Sequence, residues 1–74
     1  MKVIVTDEVP FKVLNTSCTI GYSNGYTLAY SADGVNFTQY GEATPADEVN
    51  VVNGLTRYSW LKLVGNSGDV VVVL

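Results

Sequence analysis

The 74-residue sequence contains no histidine and a single cysteine, Cys18. A lone thiol cannot close an intrachain disulfide, and without histidine or further cysteines none of the usual zinc ligand sets can be assembled. The same shortage weighs against an enzyme. A nucleophile needs a base within hydrogen-bond reach, and here that base would have to be Asp, Glu or Lys. Positive charge is scarce too: four Lys and Arg stand against seven Asp and Glu, for a net charge of -3. A nucleic-acid-binding surface needs clustered cations to displace counterions from phosphates, so no nucleic acid is expected among the partners. Long apolar runs are also missing. No segment approaches the roughly 20 residues of a membrane-spanning helix, and MKVIVTDEVP turns polar too soon for a signal peptide. The chain is therefore expected to have no membrane partner and no signal-directed secretion, and to be made in a cytoplasm that keeps Cys18 reduced.

What is present is apolar. Hydrophobic residues make up 47% of a chain long enough for one domain, expected to span residues 1–74. Chains of this size bury only roughly 60% of the surface their unfolded state exposes, and one such core supplies ~3–5 kcal/mol unless something staples it. With no disulfide and no metal cofactor to expect, two compensations remain: a rich core and association with other chains.

The pattern along the chain is that of short strands. Tyr26 to Tyr40, YTLAYSADGVNFTQY, alternates on both sides of Ala32, Asp33, Gly34 and Val35, which reads as a hairpin. Asp can hydrogen-bond the backbone two residues on, and Gly accepts the positive φ that closes the turn. Around it, Lys2 to Val5, Phe11 to Leu14, Cys18 to Tyr22, Glu48 to Val52, Ser59 to Val64 and Asp69 to Leu74 each read as extended. Cys18, Ile20 and Tyr22 are expected on the core face. Asn24-Gly25 is a strong type I′ signal and predicts a second hairpin, hence a three-stranded meander. Asn53-Gly54 is followed by residues that do not alternate and predicts a wider connection. No segment carries a helical period. About seven strands with turn signals every 8–12 residues predict an all-β fold, a small antiparallel β-sandwich of jelly-roll-like form.

The last strand is unusual. Val70, Val71, Val72, Val73 and Leu74 offer no polar face, the pattern of a strand covered on both sides. On an edge such a run promotes aggregation, so it is expected either at the centre of a sheet or beneath a neighbouring subunit. Among the aromatics, Tyr30 and Phe37 are expected in the core across the hairpin. Tyr40 and Trp60 fall on the opposite parity and are expected either at the surface, where Tyr and Trp serve as interface anchors or stack on sugars, or against a second sheet layer. Asp7-Glu8 and Asp47-Glu48 read as solvated strand ends, because neighbours in a strand point to opposite faces and no calcium-loop spacing appears. Cys18 reads as a buried, inert thiol.

Tyr30, Ser31, Asp33, Gly34 and Phe37 form a Y-S-x-D-G-x-x-[FW] pattern, and Leu61, Lys62 and Leu63 place a basic residue between two apolar ones. In these stretches, over Tyr26 to Leu74, the chain resembles the C-terminal half of discoidin-type (galactose-binding-like, coagulation factor 5/8 C-terminal) β-sandwiches. The resemblance implies a jelly-roll-like sandwich without catalysis. Such domains are about twice as long, so their ligand loops have no counterpart here. In size, acidity and all-β character the chain is also similar to minor structural proteins of tailed bacteriophages. The expected function is accordingly non-enzymatic: a structural or capsid-decoration component of a virion, acting as a homo-oligomer, dimer or trimer, alone or on another virion protein. Its expected interface is Val70, Val71, Val72, Val73, Leu74, Tyr40 and Trp60. The alternative is a small carbohydrate-binding module with a glycan as ligand.

Overall fold

A computed structural model describes residues 1–74. Eight strands follow one another without a helix: β1 (Lys2–Val5), β2 (Phe11–Lys12), β3 (Cys18–Ile20), β4 (Thr27–Ser31), β5 (Thr38–Gln39), β6 (Asn50–Val52), β7 (Trp60–Val64) and β8 (Val70–Val73). They form two antiparallel sheets packed together, ordered β1-β8-β3-β6 and β2-β7-β4-β5. The first strand pairs with the last, the second with the second-last, the third with the third-last, and the fourth with the fifth. That is one long hairpin ribbon rolled onto itself, the jelly-roll arrangement, closed by the additional pairs β3·β8 and β4·β7.

In such a ribbon only the apex connection, from β4 to β5, stays within a sheet. It is the hairpin the sequence predicts, with Ala29 opposite Gln39 and Tyr30 opposite Thr38. Its turn is wider than the four residues expected, running from Ala32 to Phe37. Asp33 holds it: one carboxylate oxygen accepts hydrogen bonds from the Ser31 hydroxyl and the amides of Val35 and Asn36, and the other accepts from the Asn36 side chain.

The second expected hairpin does not form. Cys18–Ile20 and Thr27–Ser31 lie in different sheets, so Asn24-Gly25 carries the chain across the sandwich and there is no three-stranded meander. Only Gly25 of that dipeptide takes positive φ, whereas a type I′ turn needs both. Contacts with other loops explain the outcome. The Asn24 side chain donates to Ser67, its amide donates to the buried Asn66, and Asp47 donates to the Ser23 carbonyl. The expected wide connection after Asn53-Gly54 is present and also crosses between sheets.

The core lies between the layers. Ile20, Leu61, Leu63, Val13 and Val72 are fully enclosed, and Phe11, Cys18, Leu28, Val52 and Leu55 complete the packing around them. Leu61 and Leu63 point inward from β7 while Trp60, Lys62 and Val64 point away, as the alternation predicts. Tyr22 does not join Cys18 and Ile20. It lies beyond the end of β3 and is exposed.

Candidate interaction surface

The Val70 to Leu74 run is central in its sheet, with β1 on one side and β3 on the other, so its backbone needs no partner chain. Its faces differ. Val70 and Val72 are 2% and 0% exposed within the core, whereas Val71 and Val73 point out of the sandwich and Leu74 is half-buried against core residues. Two corrections follow. The run is not covered on both sides, and Val70 and Val72 cannot form an interface because the opposite sheet already occupies their surface. A strand one residue wide presents alternate residues to opposite faces, so four valines in a row place two on each.

The outward valines have company that the sequence reading did not assemble. Ile4 stands opposite Val71, and Val51 reaches the same face across Thr19, which itself stands opposite Val73. Val49 precedes β6 with the same outward parity. These five apolar side chains are each between 39% and 64% exposed and come from β1, β8 and the β6 segment, with Thr19 of β3 between them. None of the four strands contains Asp or Glu, and Lys2 is the one charged strand residue, at the rim opposite Val73. The signal for this face is in the sequence as outward alternation in KVIV and NVV. It becomes visible only once β1 is known to pair with β8 and β6 with β3.

Of its two expected places Tyr40 takes the inner one, which removes it from the expected interface. It packs against the core, with its ring 5.8 Å from that of Tyr30 and its hydroxyl donating to the Asn53 carbonyl of the facing sheet. Phe37 takes the reverse course: it is half-buried outside the core, with the Lys62 ammonium 4.6 Å over its ring. The register explains both. Thr38 opposite Tyr30 puts Tyr40, two residues on, on the face of Tyr30 that meets the core, although Thr38 itself at the sheet edge stays exposed, and turns Phe37 to the other face. Tyr30 packs against the core as expected.

Trp60 does lie on an outer face, that of the second sheet, where it is half-buried. Lys12 extends over its ring at 5.1 Å from the centroid. Gly34 approaches the same indole, and a Cβ built there would lie 3.0–3.2 Å from three atoms of the pyrrole ring. The structure therefore does not bring Trp60, Tyr40, Val71 and Val73 onto one surface. They occupy the outside of one sheet, the interior, and the outside of the other.

Two recesses complete the surface. One of about 220 Å³, lined by Leu28, Tyr40, Glu42, Asn50, Val52 and Asn53 among others, opens between the β5 and β6 edges. The other, about 350 Å³ and lined by no hydrophobic residue, lies among Thr6, Asp7 and residues 66–69. There the Asp7 carboxylate accepts from the amides of Gly65 and Asn66, and Asn66 donates to the Gly68 carbonyl. Those bonds tie the β1-to-β2 loop to the β7-to-β8 loop at one end of the sandwich.

No family model, no curated protein and no solved structure matches the chain. The chemistry available is therefore judged from its own side chains. No three metal-ligating side chains converge. Burial pushes the Cys18 thiol up to about 11, which leaves it protonated and unreactive at neutral pH. Asp33 is held well below the usual carboxylate range by backbone amides of its own turn, then by Ser31 and Asn36, so it is an acceptor already in use. The least accounted-for feature is the apolar outer face.

Proposed function

We propose that the protein is a non-enzymatic structural module that assembles with copies of itself through the outer face of the β1-β8-β3-β6 sheet, as a virion component of the tailed-bacteriophage type made in the host cytoplasm. One observation supports this reading above others: Ile4, Val49, Val51, Val71 and Val73 form an apolar surface with no acidic residue among its strands. Contiguous exposed apolar surface of this kind marks interaction sites. A face is favoured over an edge because every edge strand is short, two residues in β2 and β5, three in β6 and four in β1, and offers little ladder to extend. A second copy suits the face because the same apolar patch on two copies can meet across a two-fold axis. Jelly rolls serve as capsid and lectin domains, which is an analogy of fold and carries less weight than the surface.

Light scattering on the purified protein tests the proposal. A dimer or trimer at micromolar concentration is expected, and a monomer at every concentration would remove it. A carbohydrate-binding module is the competing reading. Trp60 is its natural platform, but Lys12 and Gly34 already lie against that ring. A sugar titration followed by Trp60 fluorescence is expected to be flat, and a saturable change would favour the competitor.

A further inference from the structure

We propose that two copies pack face to face with their strands running in opposite directions, so that Lys2 of each copy lies over Asp69 of the other. The inference rests on the self-association proposed above and specifies its geometry. A two-fold axis lying between two such faces can run along the strands or across them. The first choice stacks like ends of the two sandwiches, and the second stacks opposite ends. Charge distinguishes them.

The carboxylates are gathered at one end. Asp7, Glu8, Glu42, Asp47, Glu48 and Asp69 all lie in the loops joining β1 to β2, β5 to β6 and β7 to β8. Those loops sit together at the end where β3 passes to β4: Glu8 donates its amide to Leu63 near the end of β7, Asp7 accepts from Gly65, Asp47 donates to Ser23, and the adjacent Asn24 donates to Asn66 and Ser67. The seventh, Asp33, lies at the opposite end and is engaged in four hydrogen bonds of its own turn. The cations are gathered at that opposite end. Lys2 is level with Val73, Lys12 with Trp60, and Arg57 bonds Leu14 and Asn15 in the neighbouring loop, while Lys62 is mid-strand. The contacts these cations make are to aromatic rings and amide oxygens, not to carboxylates. The two charge groups are therefore available to a second molecule.

The apolar face carries the same polarity. Lys2 marks one rim. At the other rim Thr6 donates to Asp69, which continues the outward parity of Val71 and Val73. Ile4 and Val71 lie midway. From Lys2 to Thr6 the strand rises roughly 13 Å, so an axis crossing at the Ile4 level brings Lys2 above the partner's Thr6 and Asp69. Two symmetric ion pairs then frame an apolar centre. An axis along the strands would instead set six carboxylates of one copy beside six of the other.

Charge reversal tests this by sedimentation equilibrium in low salt. Lys2→Glu and Asp69→Lys are each expected to weaken dimerisation, by roughly threefold to tenfold for two exposed pairs. The double variant Lys2→Glu/Asp69→Lys is expected to recover wild-type affinity, and 0.5 M salt to narrow all differences. Circular dichroism confirms that each variant is folded. If wild type dimerises but the single reversals are silent, or the double variant fails to recover, the crossed orientation is overturned while the apolar contact stands. A monomeric wild type overturns both.

Discussion

Gly34 lies so close to Trp60 that a Cβ added to it would sit 3.0 Å from the indole nitrogen. Its φ of 80° is a left-handed conformation that only glycine adopts freely. Turn and sheet are thus fitted to each other: the apex of the ribbon bends back over the outer face of β7 because residue 34 has no side chain. Gly34→Ala is expected to cost ~2 kcal/mol, roughly 1–2 from backbone strain and the remainder from displacing the ring. In a domain of this size that lowers Tm by roughly 8–16 °C, readable by thermal melting. An unchanged melt would mean that the turn is not held as described.

Asp33 supports the same turn through its charge. Its folded-state pKa is depressed by the amides of Asn36 and Val35 and the side chains of Ser31 and Asn36, so its contribution is present above its ordinary value of 3.8 and is lost as pH falls through the folded value. Wild type is therefore expected to be more stable than Asp33→Ala at neutral pH, with the gap closing as pH drops below about 4. Denaturant titrations at pH 7 and pH 2.5 measure it. A gap independent of pH would remove the carboxylate from the explanation.

Tyr40 distinguishes the observed register from the surface placement that alternation after a four-residue turn allows. Tyr40→Ala is expected to destabilise by ~2–3 kcal/mol through lost packing against Tyr30 and the core. Tyr40→Phe removes only the hydroxyl bond to Asn53, about 0.5–1 kcal/mol. A double-mutant cycle with Tyr30 should show coupling of roughly 0.5–1.5 kcal/mol. A neutral Tyr40→Ala would return the residue to the surface.

These three residues also mark how far the sequence could be read. Inside a strand, alternation tells which residues share a face, as for Leu61 and Leu63 against Trp60 and Lys62. Across a loop that information is lost, because parity depends on loop length and nothing periodic sets it. Phe37 and Tyr40 exchanged places for that reason. Turn dipeptides are ambiguous in a different way. Asn24-Gly25 indicates a reversal near positive φ, and whether the reversal stays in one sheet depends on contacts from Asp47, Asn66 and Ser67, all distant in the chain. The candidate surface had the same obstacle. Val71 and Val73 were legible as apolar, whereas the contribution of Ile4 required the pairing of the first strand with the last.

Cys18 offers a check on the interior. Its thiol is buried opposite Val52 and titrates at about 11 instead of 9.0. The neutral thiol is the form that the fold stabilises, so this contribution is complete below pH 9 and declines as pH rises toward 11. At pH 8 a thiol reagent is expected to react rapidly in denaturant and at least a hundredfold more slowly in native protein, as global opening limits access. Equal rates would show that the β3·β6 edge opens readily.

Adjacent valines on β8 give the most direct test of the account. Val72 is enclosed, so Val72→Lys buries an unpaired charge and is expected to unfold the chain, whereas Val71 faces outward and Val71→Lys should leave the fold intact. Sedimentation velocity on wild type and Val71→Lys at matched concentrations is the deciding measurement. The account predicts an oligomer for wild type and a folded monomer for Val71→Lys. Two proteins sedimenting as the same species, with both folded, would contradict it.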